Sequence, residues 1–332
     1  MKEILLIGGE GYIGNSVTQH LLGKGYSVTS FDNLLYENHT CVLSKISNKN
    51  YSFKYGDLLD GSLLKPLIRS HHAVVLLAGL VGDPITKKYP YESAKINDLG
   101  VKNVIDLCSE ASTKKFIFVS TCSNYGLIEE DHLADENHPL NPLSLYAESK
   151  TNAEQYILSM KNKTGMNPTI LRFATAFGLS ARTRFDLTIN EFTRDLAMGQ
   201  DLLVYDADTW RPYCHVNDFA RLIEIVISSP VNKTSFEVFN AGGNINNATK
   251  EMILSCILKR IPNGKVSFQK HGSDPRNYRV SFQKVESILD FEPRYTIEDG
   301  VNELIDAIDN HVFDNIDRNR NFYGNYEINY PI

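Results

Sequence analysis

The chain has 332 residues, of which 42% are hydrophobic and 22% are charged, and its net charge at pH 7 is −6. This length suits one large or two interlocked domains, and the composition is ordinary for a soluble globular protein, which excludes a disordered or collagen-like chain. The negative net charge argues against a surface for nucleic acid or anionic membranes, because either partner needs a basic face.

No apolar run approaches the length of a signal-peptide core or a membrane span. The five cysteines are odd in number, scattered along the chain and without metal-ligand spacing. We therefore expect a cytoplasmic protein with reduced thiols, no metal site and no membrane partner.

The first half of the chain alternates apolar runs with amphipathic segments. The apolar runs predict strands buried on both faces, at residues 4–7, 26–31, 73–77, 116–120 and 169–173. The amphipathic segments predict helices at residues 12–22, 62–68, 92–108 and 143–160. Asn141 and Pro142 are expected to cap and begin the last helix. The alternation predicts an α/β fold, a Rossmann-type doubly wound parallel sheet with helices on both faces.

After Gly178 the alternation loosens into shorter strands, turns and helices, the helices predicted at residues 187–198, 218–228, 250–259 and 297–309. We expect a Rossmann domain at residues 1–178, to which residues 214–243 return. Residues 179–332 would form a smaller C-terminal α/β substrate lobe. The last stretch, residues 314–332, is predicted to be an extended tail, either packed on the surface or partly mobile.

A glycine-rich loop separates the first strand from the first helix. Gly8, Gly11 and Gly14 fit Gly-x-x-Gly-x-x-Gly, and counting from Gly9 the loop also fits Gly-x-Gly-x-x-Gly. Glycines here permit a tight turn and close approach of the backbone to a pyrophosphate at the helix N-terminus. Asp32 ends the second strand about 20 residues on, where a carboxylate accepts hydrogen bonds from a ribose diol. The pattern predicts a dinucleotide site.

The residues around Asp32 favour NAD over NADP. Its carboxylate would repel a 2′-phosphate, and residues 33–37 contain no arginine or lysine to neutralise one. Glu10, inside the glycine loop, is expected to add negative potential.

Tyr146 and Lys150 lie four residues apart and so share one face of the last predicted helix of the first half. A lysine and a cationic nicotinamide ring would lower the pKa of the phenol, which could then take a proton from a sugar hydroxyl while hydride moves to NAD. Thr121 follows the fifth predicted strand and could orient the same oxygen. Ser123, two residues on and thus on the same strand face, would be a second contact.

Nearly the whole chain resembles the extended short-chain dehydrogenase/reductase family, in its nucleotide-sugar epimerase/dehydratase branch. The resemblance rests on the glycine loop, Asp32, Asp57, residues 77–79, the Thr121 segment, Tyr146 with Lys150, and residues 171–173 and 210–218. It implies a catalytic triad of Thr121, Tyr146 and Lys150, an adenine contact at Asp57, a tightly bound NAD and a homodimer through residues 92–108 and 143–160.

Cofactor contacts are accordingly expected at Gly8, Gly11, Tyr12, Ile13, Gly14, Asp32, Asn33, Asp57, Leu58, Leu77, Ala78, Gly79, Tyr146 and Lys150. Substrate contacts are expected at Ser123, Thr175, Asn190, Arg211 and Arg276. The two arginines would grip a diphosphate, because a planar guanidinium binds phosphate oxygens through parallel hydrogen bonds. The alternatives are an ion pair for each arginine and an ordinary helix position for Asn190.

Residues that flank Thr121 distinguish the branches of the family. Dehydratases carry an acidic residue and then a glutamate there, decarboxylating members a glutamate, and 3,5-epimerising members a cysteine at the second place. This chain has Cys122 and Ser123, which leaves hydride chemistry without elimination: a C4-type dehydrogenase, a ketoreductase or a 4-epimerase.

Three segments, residues 81–84, 179–190 and 274–278, resemble a subgroup that includes bacterial GDP-heptose C4 dehydrogenases. In the second segment, Arg182 and Arg184 could reach the sugar or phosphates, or could lie in a solvated loop. The leading hypothesis is an NAD-dependent oxidation of a nucleotide-activated sugar. The alternatives are a 4-epimerase, a dehydratase working through other groups, and a non-catalytic NAD-binding regulatory protein.

Overall fold

The structure, a computed structural model, describes residues 2–129, 132–270 and 276–331. Within these ranges the strands are, in chain order, β1 (Glu3–Ile7), β2 (Ser27–Asp32), β3 (Tyr51–Tyr55), β4 (Ala73–Leu76), β5 (Phe116–Thr121), β6 (Leu133–Ala134), β7 (Pro168–Phe173), β8 (Thr175–Phe177), β9 (Leu202–Tyr205), β10 (Trp210–His215), β11 (Glu237–Ala241), β12 (Asn247–Thr249), β13 (Val266–Gln269) and β14 (Arg279–Val280).

The α-helices of the same ranges are α1 (Tyr12–Gly23), α2 (His39–Leu43), α3 (Gly61–Ser70), α4 (Asp83–Lys88), α5 (Pro90–Ser93), α6 (Val101–Glu110), α7 (Leu145–Ser159), α8 (Thr188–Ala197), α9 (Val216–Ser228), α10 (Val231–Thr234), α11 (Lys250–Arg260), α12 (Gln283–Leu289) and α13 (Ile297–Asp309). Short 3₁₀ turns lie at Cys122–Tyr125, Asn244–Asn246 and Asp317–Asn319. None of the helices described here combines the length and apolarity needed to cross a bilayer.

Seven strands form one parallel sheet in the order β11-β7-β5-β4-β1-β2-β3, which confirms the predicted doubly wound α/β fold. The order reverses between β1 and β4, and the crevice at such a point is where open α/β sheets bind ligands. The central strands are buried throughout, as their continuous apolar runs predict. Strand β3 was not predicted, because this edge strand is largely exposed after Tyr51 and carries no continuous apolar run.

Helices cover both faces of the sheet. Val17 of α1 and Phe219 of α9 belong to the core on one face, whereas Leu64 of α3, Val104 of α6 and Ile157 of α7 belong to the core on the other. The residues after β10 therefore return to the main sheet, through α9 and the edge strand β11.

The smaller lobe packs α8, α11 and α13 around its own apolar core. Its strands form the short sheet β12-β10-β8 and the pair β13-β9. Strand β8 follows β7 after one residue, so the lobe extends from the carboxyl edge of the main sheet.

The N-cap of helix α7 lies three residues later than predicted. Ser144 is its N-cap, and the Ser144 hydroxyl accepts a hydrogen bond from the backbone N–H of Ala147 at 3.3 Å. The prediction of Asn141 and Pro142 at the helix start was wrong, since a serine side chain closer to the apolar run supplies the cap.

The helix predicted at residues 92–108 is interrupted. A π-helix at Ala94–Gly100 joins α5 to α6. Its Asn97 accepts a hydrogen bond from the backbone N–H of Leu80 at 2.8 Å and donates one to the Leu80 carbonyl at 2.9 Å. The irregular turn thus fixes the loop that follows β4 at the carboxyl edge of the sheet.

The described part of the C-terminal tail is packed against the main domain. Asn325 and Tyr330 are both buried. The phenol of Tyr330 donates a hydrogen bond to Oδ1 of Asp57 at 2.9 Å, and Nζ of Lys95 donates one to the Pro331 carbonyl at 2.9 Å. The tail therefore crosses from the second lobe back to the first.

Candidate active site

A cavity of about 470 Å³ lies at the carboxyl edge of the main sheet, between the two lobes. It is lined by all of the predicted cofactor residues, namely Gly8, Gly11, Tyr12, Ile13, Gly14, Asp32, Asn33, Asp57, Leu58, Leu77, Ala78, Gly79, Tyr146 and Lys150. It is also lined by Thr121, Ser123, Thr175, Arg211 and Arg276. Residues distant in sequence are thus brought into one crevice.

The glycine loop has the shape that a pyrophosphate requires. Gly8 has a φ of +88°, and a Cβ there would lie 2.6 Å from the backbone nitrogen of Ala78. Gly11 is the N-cap of α1 and offers no side-chain cap, so the first N–H groups of the helix are available to an anion. These residues fit a dinucleotide diphosphate.

Asp32 lies at the end of β2. Its carboxylate accepts hydrogen bonds from the backbone N–H groups of Glu10 at 3.0 Å and Leu34 at 2.8 Å. Burial nevertheless raises the pKa of Asp32 to about 6, because desolvation outweighs the two hydrogen bonds. A ribose diol that donates to the ionised form would stabilise it.

Glu10 lies in the glycine loop but does not line the cavity. Its side chain is fully buried, and its carboxylate pairs with Nζ of Lys45 at 2.9 Å and accepts from the Tyr51 phenol at 2.7 Å. Although Lys45, 35 residues away in sequence, pairs with it, the charge of Glu10 still contributes to raising the pKa of Asp32. Its effect on a bound cofactor stays a prediction.

The adenosine end of the cavity is held together by side-chain hydrogen bonds. The amide of Asn33 donates to Oδ2 of Asp57 at 3.1 Å, and the backbone N–H of Leu59 donates to Oδ1 at 3.0 Å. Because the Tyr330 phenol also donates to Oδ1, the remaining acceptor capacity of Asp57 lies on Oδ2, which has two lone pairs.

Tyr146 and Lys150 lie in the first two turns of α7, and both line the cavity beside Thr121. Nζ of Lys150 donates a hydrogen bond to the Val119 carbonyl at 2.8 Å, and burial lowers its pKa to about 8. Burial, with a smaller contribution from Asp83, raises the pKa of Tyr146, while hydrogen bonding with Thr121 lowers it. The lowering of the Tyr146 pKa that the sequence predicts depends on the positive nicotinamide ring of bound NAD. It therefore stays a prediction for the NAD-bound protein.

Ser123 reaches the cavity by a different route from the predicted one. Strand β5 ends at Thr121, and a 3₁₀ turn follows in which the Thr121 hydroxyl accepts a hydrogen bond from the backbone N–H of Ser123 at 3.1 Å. This turn, rather than strand alternation, directs Ser123 inward. Cys122 is buried, and its Sγ donates to the Arg172 carbonyl at 3.1 Å.

The opposite end of the cavity carries the two predicted diphosphate arginines. Nη1 of Arg276 pairs with Oδ2 of Asp83 at 2.7 Å and lies 3.4 Å from the Ser123 hydroxyl. Nη1 of Arg211 donates to the backbone carbonyls of Trp210 and Arg276. Arg276 therefore forms an ion pair between the lobes, which was the alternative to diphosphate binding, and it also lines the cavity. Asp274 and Pro275, part of the same motif, lie outside the described residues.

Asn190 lies away from the cavity. It is fully buried in α8, its Oδ1 accepts from the backbone N–H of Gly178 at 3.0 Å, and its Nδ2 donates to the Tyr12 phenol and the Arg184 carbonyl. These hydrogen bonds connect α8 to Tyr12 of α1 and use the Asn190 amide. Asn190 thus positions neighbouring residues and does not line the cavity.

The cavity lining also includes residues that were left open or not predicted. Arg182 and Arg184, for which contact with the substrate and a solvated loop were the alternatives, line the cavity and are buried, 2% and 7% exposed, so their segment is not a solvated loop. Asp83, Asn325 and Tyr326 line the cavity as well. The two arginines that alternate before Asp186 were the sequence signal for Arg182 and Arg184. No pattern in the tail indicated Asn325 or Tyr326.

All five cysteines are unpaired. Across the described ranges, no group of three or more histidine, cysteine, aspartate or glutamate side chains is arranged to hold a metal ion.

Comparisons with known proteins agree on the family of this chain. Residues 4–242 match the family described as "NAD dependent epimerase/dehydratase family". A dTDP-glucose 4,6-dehydratase from Streptomyces niveus is 25% identical over 321 residues, which are 92% of this chain and 92% of that protein. A UDP-glucose 4-epimerase from Halalkalibacterium halodurans is 26% identical over 314 residues, 88% of this chain and 91% of that protein.

Solved structures agree. The dTDP-glucose 4,6-dehydratase of Bacillus anthracis, in complex with NAD, has a TM-score of 0.83 and 25% identity, covering 94% of this chain and 98% of that one. The UDP-glucose 4-epimerase of Thermus thermophilus, also with NAD, has a TM-score of 0.78 and 22% identity, covering 92% and 98%, and shares the fold. None of these four proteins is a GDP-heptose enzyme, so that subgroup stays a prediction. The chain belongs to the NAD dependent epimerase/dehydratase family, and it is an NAD-dependent enzyme of that family.

Proposed function

We propose that this enzyme oxidises a hydroxyl of a nucleotide-activated sugar, at C4, without eliminating water. The observation that carries the proposal is the presence of Thr121, Tyr146 and Lys150 in one cavity with the glycine loop and Asp32. Residues that bind a dinucleotide and residues that can remove a proton thus face the same space.

Bound NAD supplies the hydride acceptor. Tyr146 removes the hydroxyl proton, and the Thr121 hydroxyl bonds the same oxygen and orients it. Lys150 is buried and contacts the Val119 carbonyl, from which its ammonium can turn to the nicotinamide ribose and stabilise the Tyr146 phenolate.

The absence of an eliminating acid next to Thr121 supports oxidation without dehydration. Cys122 is buried with its Sγ donating to the Arg172 carbonyl, and it does not line the cavity, so its thiol has no access to the substrate. The Ser123 hydroxyl is a weak acid. Asp83 lies in the cavity but is held in an ion pair with Arg276 and accepts a hydrogen bond from the Ser144 hydroxyl at 2.7 Å.

We propose that Arg211 and Arg276 bind the sugar-nucleotide diphosphate, with Thr175 and Ser123 near the sugar. Relatives named for dTDP- and UDP-sugars support this substrate class. The resemblance of residues 81–84 and 179–190 to GDP-heptose C4 dehydrogenases favours a GDP-sugar, and the buried Arg184 beside Asp186 lies within that motif.

A 4-epimerase is the second candidate, because a relative of that activity covers 88% of the chain. The two reactions share the oxidation and differ in whether the keto sugar leaves or is reduced on its other face. A non-catalytic NAD-binding regulator is disfavoured, since such proteins have no need of Tyr146 and Lys150 together in the cavity.

We also propose a cytoplasmic homodimer. The unpaired cysteines suit a reducing compartment. Tyr91 and Leu99, 79% and 59% exposed, lie on the segment from α5 to α6, and Leu145 of α7 is 45% exposed. Pairing of these helices in a second copy would bury that apolar surface. A monomer in sedimentation at micromolar concentration would contradict the dimer.

Mass spectrometry of the products tests the reaction. The enzyme is incubated with GDP-, UDP- and dTDP-sugars, beside a Tyr146→Phe variant and a matched Tyr205→Phe control at an exposed position outside the cavity. A product lighter by two hydrogen atoms, formed by wild type and by the control only, is expected. A product lighter by one water would show a dehydratase, and one of unchanged mass with altered proton couplings an epimerase.

A further inference from the structure

Arg182 is a buried cation without a counter-ion. Its side chain makes no ion pair with the carboxylates of the described residues, and its Nε is buried without a hydrogen-bond partner among them. Within the described ranges its side-chain hydrogen bonds all come from Nη2, to the carbonyls of Asn321 at 3.3 Å and Gly324 at 3.1 Å and to Oδ1 of Asn325 at 2.9 Å. A buried charge with only neutral partners is costly and indicates a missing anion.

Two carboxylates, Asp186 and Asp32, act on Arg182 electrostatically, but neither forms an ion pair with it. Asp186 is held by Arg184, through Nε at 2.9 Å and Nη2 at 2.6 Å. Burial, with a smaller contribution from Arg184, lowers the pKa of Arg182 to about 10, so it remains a cation at neutral pH. The guanidinium carbon lies 4.3 Å from the centroid of the Tyr36 ring, a cation–π contact.

The position of Arg182 points to the cofactor half of the cavity. The hydroxyl of Ser180 donates to the Tyr12 carbonyl at 2.7 Å, which ties the Arg182 loop to the first turn of α1. Tyr36, beneath the guanidinium, follows β2 and Asp32 by four residues. Arg276, proposed to bind the substrate, lies instead beside Ser123, with 3.4 Å between Nη1 and the hydroxyl oxygen.

We propose that Arg182 binds the diphosphate of NAD, together with the N–H groups at the N-terminus of α1, since both line the same cavity. The inference concerns the cofactor of the family and does not depend on which sugar reaction the enzyme performs.

The C-terminal tail positions this arginine. Its residues 321–325 accept the three hydrogen bonds of Nη2, and the Asn325 amide is itself fixed by donating to the Val81 carbonyl at 2.9 Å. The backbone N–H of Asn325 donates to Asp186 at 3.2 Å. The tail thus holds Arg182 toward the cavity, and Asn325 is a positioning residue for the cofactor contact.

The test compares two displacing ligands that differ only in the diphosphate. NADH bound to the enzyme is followed by fluorescence and displaced by ADP or by adenosine, for wild type, Arg182→Gln and Arg182→Lys. The glutamine variant is expected to weaken ADP binding at least tenfold and adenosine binding less than twofold, because a charged hydrogen bond is lost only with the phosphate. Arg182→Lys keeps the charge and should lose less.

Arg276→Gln is the matched control and should leave ADP binding unchanged while it weakens displacement of substrate by UDP, GDP or dTDP. Equal losses for ADP and adenosine in Arg182→Gln would overturn the proposal, since the arginine would then act only by supporting Tyr36. A loss confined to UDP, GDP and dTDP would overturn it as well, by assigning Arg182 to the substrate.

Should Arg182→Gln fail to fold, Asn325→Ala keeps the arginine and removes one of its anchors. That variant is expected to lower the affinity for ADP several-fold and to leave adenosine unaffected. An unchanged ADP-to-adenosine affinity ratio in Asn325→Ala would then reject the proposal.

Discussion

Arg276 and Asp83 form an ion pair across the substrate end of the cavity, with 2.7 Å between Nη1 and Oδ2. Asp83 begins α4 in the main domain, whereas Arg276 belongs to the second lobe. Asp83 also accepts a hydrogen bond from Ser144, the N-cap of the helix that carries Tyr146. One carboxylate therefore links the proposed diphosphate arginine to the helix of the proposed catalytic base.

We expect Asp83→Asn to tighten substrate binding. A diphosphate must compete with Asp83 for Arg276, and an asparagine keeps the shape but removes the competing charge. The KM for the sugar nucleotide should fall several-fold. A raised KM would show that Asp83 binds the substrate itself, for example through a sugar hydroxyl.

The same substitution should move the pH profile of kcat. Asp83 raises the pKa of Tyr146, so removing its charge lowers that pKa, and the basic form of the phenol is reached at lower pH. The rising limb of the kcat profile is expected to shift to lower pH. Ser144→Ala, which loses the helix cap but keeps Asp83, is the control and should leave the limb in place.

Tyr146→Phe is expected to lower kcat by about 100- to 10 000-fold, the usual contribution of a general base. The phenyl ring keeps the packing, so the NAD content of the purified protein and its melting temperature should match wild type. Full turnover by this variant would refute the assigned base and favour a non-catalytic NAD-binding protein.

Lys150→Met should stabilise the cofactor-free protein while it abolishes activity. Burial lowers the folded-state pKa of Lys150 to about 8, from its ordinary value of 10.5. Below pH 8 the lysine is charged in both the folded and the unfolded chain, and the cost of burying that charge lowers the stability of the folded state. The methionine variant should be more stable at pH 7 by about 2 kcal/mol, allowing for the lost hydrogen bond to Val119.

That stability difference depends on pH. Between pH 8 and pH 10.5 the unfolded chain binds the Lys150 proton more than the folded chain does, so the stability of wild type rises with pH and approaches that of the variant. Denaturant unfolding at pH 7 and pH 10 measures both values. A variant less stable than wild type at pH 7 would contradict the prediction.

NAD affinity is expected to fall on acidification. The folded-state pKa of Asp32 is raised to about 6, so at pH 5 most of the cofactor-free protein carries a neutral Asp32 that accepts ribose hydrogen bonds poorly. The apparent affinity should drop about tenfold between pH 7.5 and pH 5, in proportion to the ionised fraction. Titration calorimetry at the two pH values measures it.

The same group should make the cofactor-free protein more stable as the pH falls, whereas NAD affinity falls. Its folded-state pKa lies above the ordinary 3.8, so between pH 6 and pH 4 the folded state binds more protons, and this group adds stability as the pH falls. Asp32→Asn should remove both pH dependences. A pH-dependent NAD affinity that survives in Asp32→Asn would assign the effect to another group.

The dinucleotide half of this protein was determined by the sequence alone. Gly8, Gly11 and Gly14 are needed where the backbone turns tightly and approaches an anion, and Asp32 lies at the end of a continuous apolar strand. Tyr146 and Lys150 share a helix face through simple periodicity. Local backbone geometry places all of these residues, so a pattern within a few residues predicts them.

What surrounds those residues was decided only by the tertiary structure. Glu10 forms an ion pair with Lys45, and Arg276 forms one with Asp83, about 190 residues away. Arg182 is held by tail residues some 140 positions later in the sequence. Charges interact through space and not along the chain. Partners brought together by folding therefore leave no periodic or motif signal, and which lysine, carboxylate or carbonyl meets each charge depends on how the two lobes and the tail pack.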